Sequence, residues 1–145
     1  MKKSIIPLML ILAGVLIIAL SCEKAQEVLG ITISGHVTDE GQPVDGAFVL
    51  LLDKAEITVS IPLSNGSITG SNGSYTIIRV DDGTYFIVVV KDENGNNSYD
   101  FGTDPIGWYG HPDTLTGFTI PDSVIVSGQN LSGIDIDELY VETSF

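Results

Sequence analysis

The richest run of ion-binding side chains in this chain is Asp92-Glu93-Asn94-Gly95-Asn96-Asn97-Ser98-Tyr99-Asp100. Asp92, Asn94, Asn96 and Asp100 fall at positions 1, 3, 5 and 9 of a calcium-loop pattern, and Ser98 stands where position 7 offers a backbone carbonyl. Hard Ca²⁺ takes six to eight oxygen ligands, and short Asp and Asn side chains alternating around a tight turn supply them. Two departures stand out. Asn97 occupies position 6, where glycine is usual, and Gly95 comes earlier. Position 12 is Thr103, so the bidentate carboxylate is missing, and Asp104 follows one place later. With few formal charges, the loop is expected to bind calcium weakly, on the order of 10⁻⁴–10⁻³ M. The competing reading is an Asn/Gly/Asp turn without an ion.

A second set is aromatic. Tyr99, Trp108 and Tyr109, with Phe101 and His111, lie in a Gly- and Pro-rich stretch. Such rings suit stacking on a sugar or anchoring a partner peptide. They equally suit packing over a sheet. Catalysis has little to work with. His36 and His111 sit in no nucleophile motif, two histidines are too few for a zinc centre, and no phosphate-binding loop precedes a helix. The chain is expected not to be an enzyme; an envelope hydrolase is the remote alternative.

The sole cysteine is Cys22. Lys2 and Lys3 open the chain, Ile5 to Leu20 is largely apolar, and Ala19, Leu20 and Ser21 precede Cys22. A positive start, an apolar stretch and small residues at its end define a secretory signal, here too short for a spanning helix. The segment resembles a bacterial lipobox, with Ala19 in place of the commoner Leu. The resemblance implies removal of residues 1–21, a lipidated tether over 22–30 and a domain over 31–145. It also implies a cell-envelope address, on a periplasmic or cell-surface face, with Cys22 holding the membrane. The processed chain keeps 4 cationic side chains (Lys24, Lys54, Arg79 and Lys91) against 19 acids, or −15. That charge repels nucleic acid and makes it an improbable partner.

The elements that carry these residues read as strands. Ile31, Ile33 and Val37 alternate with Thr32, Ser34, His36 and Thr38. Asp39 to Pro43 is a turn, Ala47 to Leu52 a strand, Ile57 to Leu63 a possible edge strand and Ser64 to Gly73 a loop. Ser74 to Val80 and Thr84 to Lys91 read as a hairpin closed by Asp81-Asp82-Gly83, with Gly73 and Gly83 at positive φ. Ser123 to Ser127 and Ile134 to Val141 complete the set. No helical periodicity of ten residues follows the signal. The fold class is all-β, a single sandwich. Phe48 to Leu52 and Tyr85 to Val90 are apolar on both faces, so something must cover the outer one. The segment 99–121 is the expected cover, and a partner surface is the alternative.

Gly35-His36-Val37-Thr38-Asp39, Gly41-Gln42-Pro43-Val44 and Gly46-Ala47-Phe48-Val49, with Ser71-Asn72-Gly73-Ser74-Tyr75 and Asp82-Gly83-Thr84-Tyr85, resemble a carboxypeptidase regulatory-like domain over residues 31–91. The resemblance implies a transthyretin-like, immunoglobulin-like, seven-stranded β-sandwich that accompanies enzymes or surface proteins and carries no catalytic residues. After Lys91 the chain departs from that pattern. The expectation is a lipid-anchored, non-catalytic binding or structural module, with calcium in the 92–104 loop. The alternative is a surface lipoprotein that recognises carbohydrate or peptide through loop aromatics, with an envelope protein or carbohydrate as partner.

Overall fold

The computed structural model describes residues 29–57 and 66–143. The expected signal segment, Cys22 and all but Ile57 of the expected strand at 57–63 lie outside the described residues. Within them the chain is all-β and sandwich-like. Its strands are β1 (Ile33–His36), β2 (Thr38–Asp39), β3 (Gln42–Pro43), β4 (Phe48–Leu52), β5 (Gly66–Ile68) and β6 (Ser74–Ile77). They continue with β7 (Gly83–Val90), β8 (Ile106–Trp108), β9 (Gly110–Pro112), β10 (Thr119–Pro121) and β11 (Ser123–Val126). No helix among the described residues is long and apolar enough to cross a membrane.

β7 is the central strand. β4 pairs along one of its edges, from Phe48↔Val90 to Leu52↔Phe86, and β5 extends the sheet beyond β4. The other edge of β7 is shared: β11 takes Gly83 to Phe86 and β8 takes Val88 to Val90. Opposite lies a smaller layer, β6 paired with β1. The C-terminal segment runs parallel to β1, with bridges Ile33↔Leu131 and Val37↔Ile136. It then passes to the larger sheet and bridges Tyr140 to Ile106. The single strand expected over Ile134 to Val141 is thus replaced by isolated bridges, because one segment serves both layers in turn.

Period-two alternation explains the packing on both faces. Ile87 and Val89 of β7 and Val49 of β4 point into the space between layers, where they meet Ile33, Val37, Tyr75, Ile77 and Ile136. Val88, Val90 and Leu50 point outward. They are covered by Tyr99, Ile106 and Trp108, with Phe101 and Tyr140 against them. The doubly apolar strands therefore have a second core, and the stretch 99–121 supplies most of its cover.

Two expected features differ. Ser74 to Val80 and Thr84 to Lys91 do not form a hairpin: β6 pairs with β1, and β7 pairs with β4, β11 and β8. Arg79 ends the strand with a left-handed φ of 57°, and Val80 N–H donates to Ile31 O, so the chain crosses from one layer to the other. Gly83 accordingly has no positive φ. It lies in β7 beneath the Tyr85 ring, which a Cβ would meet at 2.9 Å. The second difference is β5, which lies inside the expected loop Ser64 to Gly73. Its Gly66 lets Val49 O approach to where a Cβ would be only 2.1 Å away, a closeness glycine permits. The Asp39–Pro43 turn is found as expected, β2 and β3 being joined by Glu40 and Gly41 at φ 49° and 76°, the sense that suits a two-residue hairpin.

Buried tyrosines should make the fold sensitive to alkali. Burial, then the nearby Asp135 carboxylate, pushes the Tyr75 phenol well above its ordinary value while its hydroxyl donates to Ile134 O at 2.6 Å. Burial, then the hydrogen bond to Glu142, does the same to Tyr99. A raised folded-state pKa contributes stability that is full below the unfolded value, about 10, and is lost as pH rises above it. Urea midpoints should therefore fall steeply from about pH 10 upward. The Tyr75→Phe/Tyr99→Phe chain should lose less over the same range. An equal alkaline slope in the two proteins would refute the assignment to these phenols.

Candidate functional site

The 92–104 run is the connection between β7 and β8, closed at its base by the pair Val90↔Ile106 and by Lys91 N–H donating to Pro105 O at 2.9 Å. Three features shape it. Asp104, fully buried, accepts Glu93 N–H on one carboxylate oxygen (3.1 Å) and Asp100 N–H on the other (2.8 Å), clamping the two ends of the loop together. Tyr99, 1% exposed, drops from the loop into the outer core, and its hydroxyl donates to Glu142 Oε2 at 2.7 Å. Gly95 and Asn97 take positive φ, 73° and 60°, to turn the chain. Asparagine is among the few residues that adopt this conformation readily, so Asn97 meets the backbone demand that glycine meets at position 6.

Within this frame the polar side chains converge. Asp92 accepts Gly95 N–H at 2.7 Å and Asn97 N–H at 2.8 Å, one on each oxygen. Desolvation pulls its pKa upward, but backbone N–H donors from Asn97, Gly95, Asn96 and Asn94 outweigh it and hold the carboxyl below its ordinary range. Asn94 and Asn96 each accept a backbone N–H two residues on. Their amide nitrogens both donate to Asp100 Oδ2, at 2.7 and 2.6 Å. Two amide N–H groups thus balance the charge on Asp100, while the two amide oxygens accept backbone N–H groups of the turn. Ser98 contributes its N–H to Asn96 Oδ1. Asn94 and Asn96 are therefore brought to Asp100, while Asp92 is bonded to the backbone of the turn and Asp104 serves as the clamp at the base. Among the described residues no three His, Cys, Asp or Glu side chains form a metal-holding group.

The aromatic set goes elsewhere. Tyr99 is enclosed, Trp108 is 6% exposed in the same outer core, and Tyr109 packs against the inter-layer core. Tyr99 and Trp108 therefore pack within the outer core, and Tyr109 is partly buried against the inter-layer core. Trp108 also borders a shallow depression of about 260 Å³ beside Phe101, Tyr140 and Glu142. The histidines stand apart. His111 Nδ1 lies 3.0 Å from Asp122, and His36 Nδ1 lies 3.7 Å from Asp135, both pairs at the surface. No hydroxyl is hydrogen-bonded to either ring among the described residues.

Sequence reasoning missed Asn97 as the left-handed residue and Glu142 as the partner of Tyr99. For Asn97 the signal was its own residue type. Glu142 carried none, lying 43 residues away in sequence. No family model, curated protein or solved structure matches this chain.

Proposed function

We propose that this protein is a lipid-anchored, non-catalytic binding or structural module of the bacterial cell envelope, built on a transthyretin-like sandwich, whose 92–104 loop takes calcium. The observation that carries the reading is the convergence of Asn94, Asn96 and Asp100 on one point, with Asp92 and Asn97 shaping the turn. The anchor rests on Cys22 and the segment before it. The family assignment rests on the short motifs between residues 31 and 91 and is in keeping with the all-β fold. Calcium rigidifies a loop whose anchors, Tyr99 and Asp104, are already built into the scaffold. Burial of Trp108 and Tyr99 speaks for their packing role over sugar or peptide recognition.

The test is a thermal melt of the protein in ~10 mM calcium and in EDTA. For a site of 10⁻⁴–10⁻³ M, linkage gives about 1.4–2.7 kcal/mol of added stability at that concentration. The melting temperature should rise by several degrees, and Asp100→Ala should abolish the rise. Superimposable melts would end the calcium reading. For the anchor, Cys22→Ser should move the protein from the membrane fraction to the soluble one; unchanged fractionation would end that part.

A further inference from the structure

The chain leaves the described fold toward Cys22 at one defined place. Leu29 O accepts Arg79 N–H at 2.9 Å and Ile31 O accepts Val80 N–H at 3.0 Å, so the chain from Leu29 to Ile31 runs beside the bend that follows β6. That bend lines a groove of about 620 Å³, with Thr76, Ile78, Arg79, Asp81 and Tyr85 on its walls. Ile78 on the groove wall is 45% exposed, and Leu29, bonded to Arg79, is 40% exposed. Arg79 is exposed and held at φ 57°. Among the described residues neither its guanidinium nor the Asp81 carboxylate enters a salt bridge. The neighbouring Asp82 is already committed, accepting Gly128 N–H. The Tyr85 hydroxyl donates to the backbone oxygen of Asp81 and leaves its carboxylate alone.

Distance limits how far this groove can stand from the anchor. From Cys22 to Leu29 the chain takes seven Cα steps, which reach at most about 25 Å. A membrane holding Cys22 therefore lies within that distance of Leu29, and Leu29 is bonded to Arg79 at the groove. We propose that this groove docks on the surface of that membrane, with Arg79 taking the phosphate and Asp81 the ammonium of a zwitterionic phospholipid headgroup. The proposal rests on the lipid-anchor reading above. A guanidinium fork matches phosphate oxygens, and two opposite charges in one groove match a headgroup that carries both. An anionic lipid would instead meet Asp81 and the strongly negative charge of the whole domain. Leu29 and Ile78 flank the charges as apolar contacts for the headgroup–acyl boundary.

The experiment uses the full chain isolated from membranes and placed in vesicles of phosphatidylethanolamine and phosphatidylcholine doped with a headgroup-nitroxide lipid. A thiol-reactive fluorophore is attached at Ile78→Cys or, separately, at Leu115→Cys, the latter on the 92% exposed tip between β9 and β10. Lipidation consumes the Cys22 thiol, so the parent chain should take no label. Label on the parent would overturn the anchor and this proposal with it. With the parent unlabelled, nitroxide quenching at position 78 should exceed that at 115 several-fold, and Arg79→Gln should erase most of the difference while the Trp108 emission stays unchanged. Equal quenching at the two positions, stronger quenching at 115, or indifference to Arg79→Gln would overturn the docking surface and leave the anchor standing.

Discussion

Gly35→Ala should unfold the smaller layer from the rest of the sandwich and cost the protein about 3 kcal/mol, the upper part of the usual overpacking range. Gly35 sits in β1 between two neighbours, β6 on one side and the C-terminal segment on the other. A Cβ built on it would lie 2.0 Å from Ile134 O and 2.5 Å from Ile134 C. Both are backbone atoms, so no side chain can rotate away. Relief requires moving the segment that donates from Ile134 N–H to Ser34 O and from Ile136 N–H to His36 O. Those bonds tie the layer together, and Tyr75 caps the same Ile134 carbonyl. The comparison variant is Gly41→Ala. Gly41 has φ 76° and open space around its Cα, so its cost is conformational alone, about 1 kcal/mol. Urea unfolding should show a much lower midpoint for Gly35→Ala than for Gly41→Ala. Equal midpoints would mean that the close approach of the C-terminal segment to β1 is wrong.

Trp108→Ala should cost about 3–5 kcal/mol, the range for emptying the site of a buried aromatic ring. Trp108 stands on β8 opposite Val88, and with Tyr99 and Ile106 it forms the second core that shields the outward face of β4 and β7. Removing the ring exposes Val88, Val90 and Leu50 and loosens the floor on which the 92–104 loop is seated through Tyr99. On the proposed calcium reading, the loop should therefore lose calcium affinity along with stability. Because Trp108 is the sole tryptophan, it also reports on its own environment. Its emission should be blue-shifted and resistant to iodide quenching in the parent protein. A red, freely quenched emission would place the ring in solvent, undo the packing role and reopen recognition by loop aromatics.

The loop and the sheet were legible in the sequence to different degrees, for a physical reason. The Asp/Asn spacing from Asp92 to Asp100 is a local property, and its turn geometry follows from residue type within a few positions. Its supports are not local. Asp104 becomes a clamp only because the backbone N–H groups of Glu93 and Asp100 come to it, and Tyr99 points inward only because β7 and β8 leave an uncovered apolar face beneath it. The same division holds for the strands. Alternation marked Ile33 and Val37 as buried, and both are fully enclosed. The paired apolar runs of β4 and β7 required a cover, and segment 99–121 supplies it. The hairpin reading of Ser74 to Lys91 failed because a turn signal states that the chain bends, not which sheet it bends into. Arg79 in a left-handed conformation and the bond from Val80 to Ile31 decided that.

Composition and pattern alone established a positively charged and then apolar first stretch, a single cysteine, a strongly acidic remainder and short strands in place of helices. Each of these depends on residue identity or on period-two neighbours, information that survives without contacts. Tertiary structure decided the layer of each strand, the division of the C-terminal segment between two sheets, and the burial of Trp108. These depend on which backbone groups meet across tens of residues, as Gly35 meets Ile134 and Tyr99 meets Glu142, and no local pattern encodes such meetings.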